Sequence, residues 1–250
     1  GAGYEMNPKA WSPLLGIETD TTNRDIRALE LMGANPKISR DDLYRIKYDT
    51  AVSKASYAGP WFTRAMTLDA KGDRQLAAAQ AVLRQWDWNY DGRGPADALA
   101  ALLLHDIGLA HYNRQPLPDP RATLKTDAAY LGKWFGRIDP PLGDVLRLRQ
   151  GKVDLPLDGG PDVLRAMALW DEGKDGRVAV KHGDSFIMFA EWDRQGRVHS
   201  WSVQPFGAAT TRPNSPHYAD QAALFVKHQL KPVRFTRGEL QGHIERIYRP

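Results

Sequence analysis

The sequence contains no cysteine. That excludes disulfides, thiol nucleophiles and cysteine-ligated zinc in one step. It accords with an oxidising compartment, although many cytosolic proteins share the trait. Long apolar runs are also missing. The longest, ALAALLL at 98–104, is far short of the ~20 residues that a bilayer-spanning helix needs. No run of five like charges occurs among the 34 basic and 30 acidic residues, and the net charge is only +4. A polybasic tail for nucleic acid or membrane is thereby excluded. The first residues lack the pattern of a signal peptide. Residue 1 is not Met, so it is expected to be a boundary made by natural processing or by an artificial cut. An HExxH zinc helix, a P-loop, a dinucleotide fingerprint and a G-x-S-x-G elbow are all absent.

What is present is a chain of 250 residues, 42% hydrophobic, with eight tryptophans. That suffices for a substantial core in one or two domains. Residues 1–150 read as mainly helical. Residues 20–33 offer polar caps, apolar Ile26 and Leu29 and a closing glycine. Ser39 followed by Asp42 has the spacing of a capping box. Leu76, Ala79, Val82, Leu83 and Trp86 share one helical face, as do Leu124, Ala128, Leu131, Phe135 and Ile138. A further helix is expected over 95–111, behind Pro95. Segments 113–120 and 139–160 are rich in Pro, Gly and Asp and read as loops. From 176 to 250 the pattern becomes two or three strands, with DRQG as a hairpin turn, then a helix and a basic tail. Helices first and strands later imply an α+β fold.

Three local patterns raise chemistry. Ser215, His217 and Asp220 are the side-chain types of a hydrolase triad, but triads are normally assembled from separate chain segments. Ser-Pro reads as a helix start, with Ser215 as cap and Pro216 as first helical residue, which points the three side chains apart. Asp87, Asn89, Asp91 and Gly92 match positions 1, 3, 5 and 6 of a calcium-binding EF-hand loop. Position 12 is Ala98 instead of a bidentate Glu, so a structured turn is favoured. His105 follows an apolar run and reads as a half-buried histidine with a satisfied hydrogen bond. The Trp-rich segment 86–90 offers a ligand platform, should this be a free-standing α+β binding module without catalysis.

Five segments taken together resemble the penicillin acylase family, which includes acyl-homoserine lactone and cyclic-lipopeptide acylases. They are GIETDTTNRDIRALELMG, ISRDDLYRIKYD, WDWNYDGRGPADALAALL, HGDSFIMFAEWDRQGRV and FGAATTRPNSPHYADQAALFVKHQLKPVRF, in that order. The most specific element is SPHYADQ followed by LF and PVRF. The similarity runs from about residue 13 to the end and is closest to the C-terminal half of the family's large β subunit.

The resemblance implies part of an N-terminal-nucleophile (Ntn) hydrolase with an αββα sandwich, made by autoproteolytic processing. A serine freed at the start of the β chain attacks an amide, with its own α-amine as base. An Asn side chain and a backbone N–H hold the oxyanion, and an Arg orients that group. Residue 1 is Gly, so the serine is expected on another chain. The oxyanion Asn is expected upstream too, since Asn7 is not a convincing match. The family's active-site Arg fits Arg24 best, with Arg27 as competitor. Otherwise Arg24 is an exposed helix-start arginine, with Asp20 as a candidate partner. Several family members hold a structural calcium partly through an Asp eleven residues before that Arg. Here that position is Pro13, so no metal or other cofactor is expected, and the lactone-acylase subgroup is favoured. The resemblance further implies partners in the α subunit and the rest of the β subunit. It implies a small N-acyl substrate, such as an acyl-homoserine lactone or penicillin G, and a bacterial periplasmic location. Roles in quorum quenching or antibiotic resistance follow from such substrates.

Overall fold

The computed structural model describes residues 21–244, 246 and 247, apart from the side chains of 169–171. Gly1, Asn7, Pro13 and Asp20 lie outside the described residues. The chain divides into two compact units, 1–184 and 185–250.

Among the described residues the first unit begins with α1 (Asn23–Gly33), α2 (Arg40–Lys47), α3 (Ala58–Thr67), α4 (Arg74–Leu83), α5 (Asp97–Tyr112) and α6 (Pro120–Phe135). Their starts follow local chemistry. Thr22 and Asp25 close a capping box on α1, and Ser39 and Asp42 close the expected one on α2. Asp119 caps α6 with Pro120 in the first turn, and Gly136 ends that helix in the left-handed conformation at φ 69°. Ile138 therefore lies beyond α6. Helix α6 packs on α3, α4 and α5. Leu76, Leu83, Leu99, Leu103, Leu104, Leu124 and Leu131 are fully buried between them, each worth roughly 1.5–3 kcal/mol of transfer energy.

The segment 139–160, expected to be a loop, instead holds α7 (Leu142–Val145), β1 (Leu146–Gln150) and β2 (Val153–Pro156). Its Leu and Arg residues alternate between core and rim, and Gly151 at φ 59° turns the hairpin. With β3 (Met167–Glu172) and β4 (Val178–Gly183) these form a sheet of order β2-β1-β4-β3, in which β1 and β4 run parallel.

The second unit is an antiparallel sheet of order β5-β6-β7, made of β5 (Ile187–Trp192), β6 (Val198–Val203) and β7 (Lys231–Val233). Asp193 and Arg197 close the β5–β6 turn around the expected DRQG. Two short helices, α8 (Ala222–Val226) and α9 (Arg237–Leu240), complete it. The fold is α+β, and the late strands of the second unit are antiparallel, as expected.

The helix anticipated at Ser215–Pro216 does not form there; α8 starts only at Ala222. The backbone of 215–221 is committed elsewhere. Gln221 N–H donates to the Phe206 carbonyl at 2.7 Å, and the His217 carbonyl accepts from Ala209 N–H at 3.0 Å. Gln221, nearly buried, also accepts Gln204 N–H through Oε1. These ties outweigh one turn of helix. Gly207 is needed beneath them, since a Cβ there would run into the His217 carbonyl oxygen.

Candidate functional site

The site grows from the first turn of α1. Asn23 is completely buried. Its Nδ2 donates to the carbonyls of Asp162 (2.8 Å) and Ala51 (3.3 Å), and its Oδ1 accepts Ser53 N–H at 2.8 Å. One side chain therefore fastens α1 to two loops. The next residue is Arg24, whose side chain is 51% exposed.

Asp162 faces them from the loop after β2. It follows Pro161 and holds φ at +50°, a left-handed conformation that Asp tolerates better than most residues. Its carboxylate gathers three donors. Oδ2 accepts Asn23 N–H at 2.8 Å and the Tyr57 hydroxyl at 3.1 Å, while Oδ1 accepts Arg24 Nε at 3.2 Å. A carboxylate against the N-terminus of α1 also complements the helix dipole. Burial, and then the Asp162 charge, push the Tyr57 phenol well above its ordinary range, so it stays a donor. Tyr57 stacks on His111 with ring centres 3.8 Å apart. Gly108 leaves room for its hydroxyl, 3.2 Å from where a Cβ would stand.

The Asp162 loop is itself held from below. Gly159 N–H donates to the Tyr90 carbonyl at 2.8 Å, and Arg165 N–H to the Asp49 carbonyl at 2.8 Å. Trp86 and Tyr90 are buried, and the Trp86 ring packs against those of Phe62, Trp88 and Tyr90. The Trp-rich segment 86–90 thus spends its rings largely on core packing under the site. Arg165 is wholly buried between Asp158 (3.4 Å) and Asp184 (3.2 Å), and Lys47 also reaches Asp184 at 2.8 Å. Burial lowers the Lys47 ammonium despite that partner. Breaking such a buried pair typically costs about 3–5 kcal/mol.

Arg24, Tyr57, His111 and Asp162 line a cleft of about 510 Å³ whose other walls include Leu109 and Tyr112. Among the described residues Arg24 bonds through Nε alone, to Asp162, and its side chain stands half exposed at the cleft. The competitor Arg27 is spent differently. It is only 24% exposed and makes a two-point pair with Asp49 (2.9 and 3.0 Å) plus a bond to Glu30. Of the two arginines, Arg24 is the one able to reach another group.

The remaining candidates resolve simply. Asp87 and Asp91 accept backbone N–H groups two residues on, and Asp97 Oδ2 accepts those of Gly92 and Gly94. The EF-hand-like letters build a turn. Burial pushes the Asp97 carboxyl up to about 6. Among the described residues no group of three His, Asp or Glu side chains is placed to hold a metal ion. His105 is half-buried with Nδ1 3.3 Å from Asp106. Contrary to expectation, His217 and Asp220 do meet, Nδ1 to Oδ2 at 2.9 Å, because the turn brings them round where a helix start would not. Ser215 Oγ accepts the backbone N–H of His217 at 3.1 Å, which makes it a turn cap.

Asn23, Tyr57 and Asp162 were missed in the sequence. Asn23 and Asp162 lie 139 residues apart, and no periodicity links them. The only local hint was the Gly-Gly-Pro-Asp turn at 159–162.

Comparison with known proteins concerns the chain as a whole. The profile of the family described as Penicillin amidase matches residues 2–242. Curated relatives include the acyl-homoserine lactone acylase PvdQ of Pseudomonas fluorescens, 22% identical over 96% of this chain and 35% of that protein. PvdQ of Pseudomonas savastanoi pv. phaseolicola is 26% identical over 68% of this chain and 21% of its own length. A thermostable penicillin G acylase from Alcaligenes faecalis is a solved structure with 15% identity and a TM-score of 0.42, covering 93% of this chain and 55% of that one. The chain spans about a third or less of the curated relatives it matches. With a family match over nearly its whole length, the chain belongs to the penicillin amidase family of amide hydrolases.

Proposed function

We propose that this chain is the C-terminal part of the β subunit of an Ntn acylase that cleaves the amide of N-acyl compounds. The nucleophilic serine and the oxyanion Asn lie on the remainder of the protein, and these residues contribute the active-site arginine, Arg24. The observation that carries this reading is the Arg24 guanidinium itself. It stands half exposed at a cleft, fixed through Nε and open at both Nη atoms. Such a fork can hold a side-chain carbonyl or a developing oxyanion by preorganised charge. The coverage of the relatives supports a missing remainder. Amide attack by a serine whose α-amine is the base needs no cofactor.

The substrates proposed are long-chain acyl-homoserine lactones and penicillin G, in a periplasmic enzyme that acts in quorum quenching or β-lactam resistance. The PvdQ relatives favour the lactones. Alone, the 28.0 kDa piece is inactive in this reading. The test is to express the whole reading frame, weigh the mature chains, and compare hydrolysis of a long-chain acyl-homoserine lactone with penicillin G. A mature chain that begins with serine upstream of residue 1 is expected. A single 28.0 kDa species with full amidase activity would sink the proposal.

A further inference from the structure

We infer that Asp162 is the positioning residue that aims Arg24, and that Tyr57 holds Asp162 in turn. This deepens the reading of Arg24 as the active-site arginine and rests on it. An arginine at a helix start has several rotatable bonds and a high rotamer entropy, so without a partner its fork has no fixed direction. Here the backbone is set by Asn23, which is buried and bonded at both ends of its amide. The side chain is set by one bond, Nε to Asp162 Oδ1. Contact through Nε alone leaves both Nη groups without a hydrogen bond to any described residue.

Asp162 is suited to this task by its own fixation. Its other oxygen is occupied by Asn23 N–H and by the Tyr57 hydroxyl. Its carbonyl accepts Asn23 Nδ2, and its side chain is only 13% exposed. Tyr57 cannot swing away, since His111 stacks flat against it and Gly108 lies beneath its oxygen. The left-handed backbone at Asp162 is a further sign of a constrained position, because such conformations persist only where the surroundings over-determine them. A bond made only to shape a loop would not need a half-exposed guanidinium on its other side. The order of dependence is Tyr57 to Asp162 to Arg24 to the reacting group on the partner segment.

The experiment is a set of variants of the complete mature enzyme, assayed with one N-acyl substrate and normalised to titrated active sites. Asp162→Asn keeps the shape, tolerates the same φ and removes the charge. It should lower kcat about 10- to 100-fold, as misaimed groups do, while KM changes less than about 3-fold. Arg24→Ala should lose at least as much. The double variant should be no worse than Arg24→Ala, since Asp162 acts only through that residue. Tyr57→Phe leaves every charge in place and should cost kcat a few-fold at unchanged KM. Wild-type kcat in Asp162→Asn beside an inactive Arg24→Ala overturns this inference and leaves the Arg24 reading intact. Full activity in Arg24→Ala overturns both. A loss in Asp162→Asn that multiplies with that of Arg24→Ala marks a merely structural role and also overturns it. If Asp162→Asn gives no soluble enzyme, a wild-type kcat in Tyr57→Phe decides against the inference.

Discussion

Two side-chain pairs invite a catalytic reading, and they differ in separation along the chain and in exposure. Arg24 and Asp162 come from segments 138 residues apart, and the carboxylate is 13% exposed. His217 and Asp220 are three residues apart on a turn, with side chains 53% and 38% exposed. The first pair is the meeting point of a helix start, a loop and an aromatic layer. The second closes its own turn. Nearness in sequence gives contact easily. A group held from several directions requires distant segments, and only such a group keeps its aim when another molecule approaches.

The comparison breaks most sharply on activity. Arg24→Ala in the complete enzyme should reduce kcat by about 10²–10³, the usual effect of removing one preorganised donor. Its melting temperature should hardly move, since a half-exposed side chain with one ion-pair contact adds little stability. Steady-state kinetics beside a thermal melt would check both. A large fall in melting temperature with unchanged kcat would reverse the roles given to the two pairs.

Next in size is Asn23→Ala. It leaves the Ser53 N–H and the Asp162 carbonyl without their partners in a buried place. A loss of about 2–4 kcal/mol is expected for several such groups. Urea unfolding should show an earlier midpoint with an unchanged slope.

How much of this was legible follows from the same contrast. The capping box at Ser39 and the α4 stripe are local, and their letters lie within one or two turns. Helix α3 escaped notice because it starts with Ala-Gly-Pro and has no side-chain cap. Pro60 is tolerable there only because it falls in the first turn, where no helical N–H is lost. Strands β1 and β2 were hidden among Pro, Gly and Asp. The two form a hairpin with each other, and β1 also pairs with β4, which lies further along the chain. Arg24 could be picked out through resemblance, yet its partner could not. Asp162 is recognisable only once the chain has folded back on the α1 start.

A third carboxylate sharpens the contrast. Asp127 on α6 is buried and its Oδ2 has no hydrogen-bond partner. Burial first, and then the charge of Asp106, push its carboxyl up to about 8. Where Asp162 is supplied with donors, Asp127 keeps its proton. An unfolded Asp titrates near ~3.9, so between about pH 4 and 8 the unfolded chain releases a proton that the native one retains. This group's contribution is therefore fully present below about pH 4 and falls with rising pH, by at most ~1.4 kcal/mol per unit. Asp127→Asn should flatten that decline, read from melts at pH 5 and pH 8. An equal pH slope in both proteins would show that Asp127 is solvated in solution.

The smallest effects belong to the segment whose letters first suggested a triad. Ser215→Ala removes a turn cap for the His217 N–H, and His217→Ala removes an exposed partner of Asp220. Each should change stability by no more than about 1 kcal/mol. Each should leave kcat within about 2-fold, because the described contacts of both side chains shape their own turn, whereas Asp162 is held by α1 and Tyr57. Gly207→Ala is the internal control, since its Cβ would press on the His217 carbonyl that holds this turn to Ala209. It should destabilise the second unit more than either side-chain deletion, by roughly 1–3 kcal/mol. That order, backbone tie above side-chain pair, is what a structural turn requires. If Ser215→Ala or His217→Ala instead slowed turnover about a hundredfold or more, as loss of a triad member does, with the melt unchanged, the local triad would return to contention.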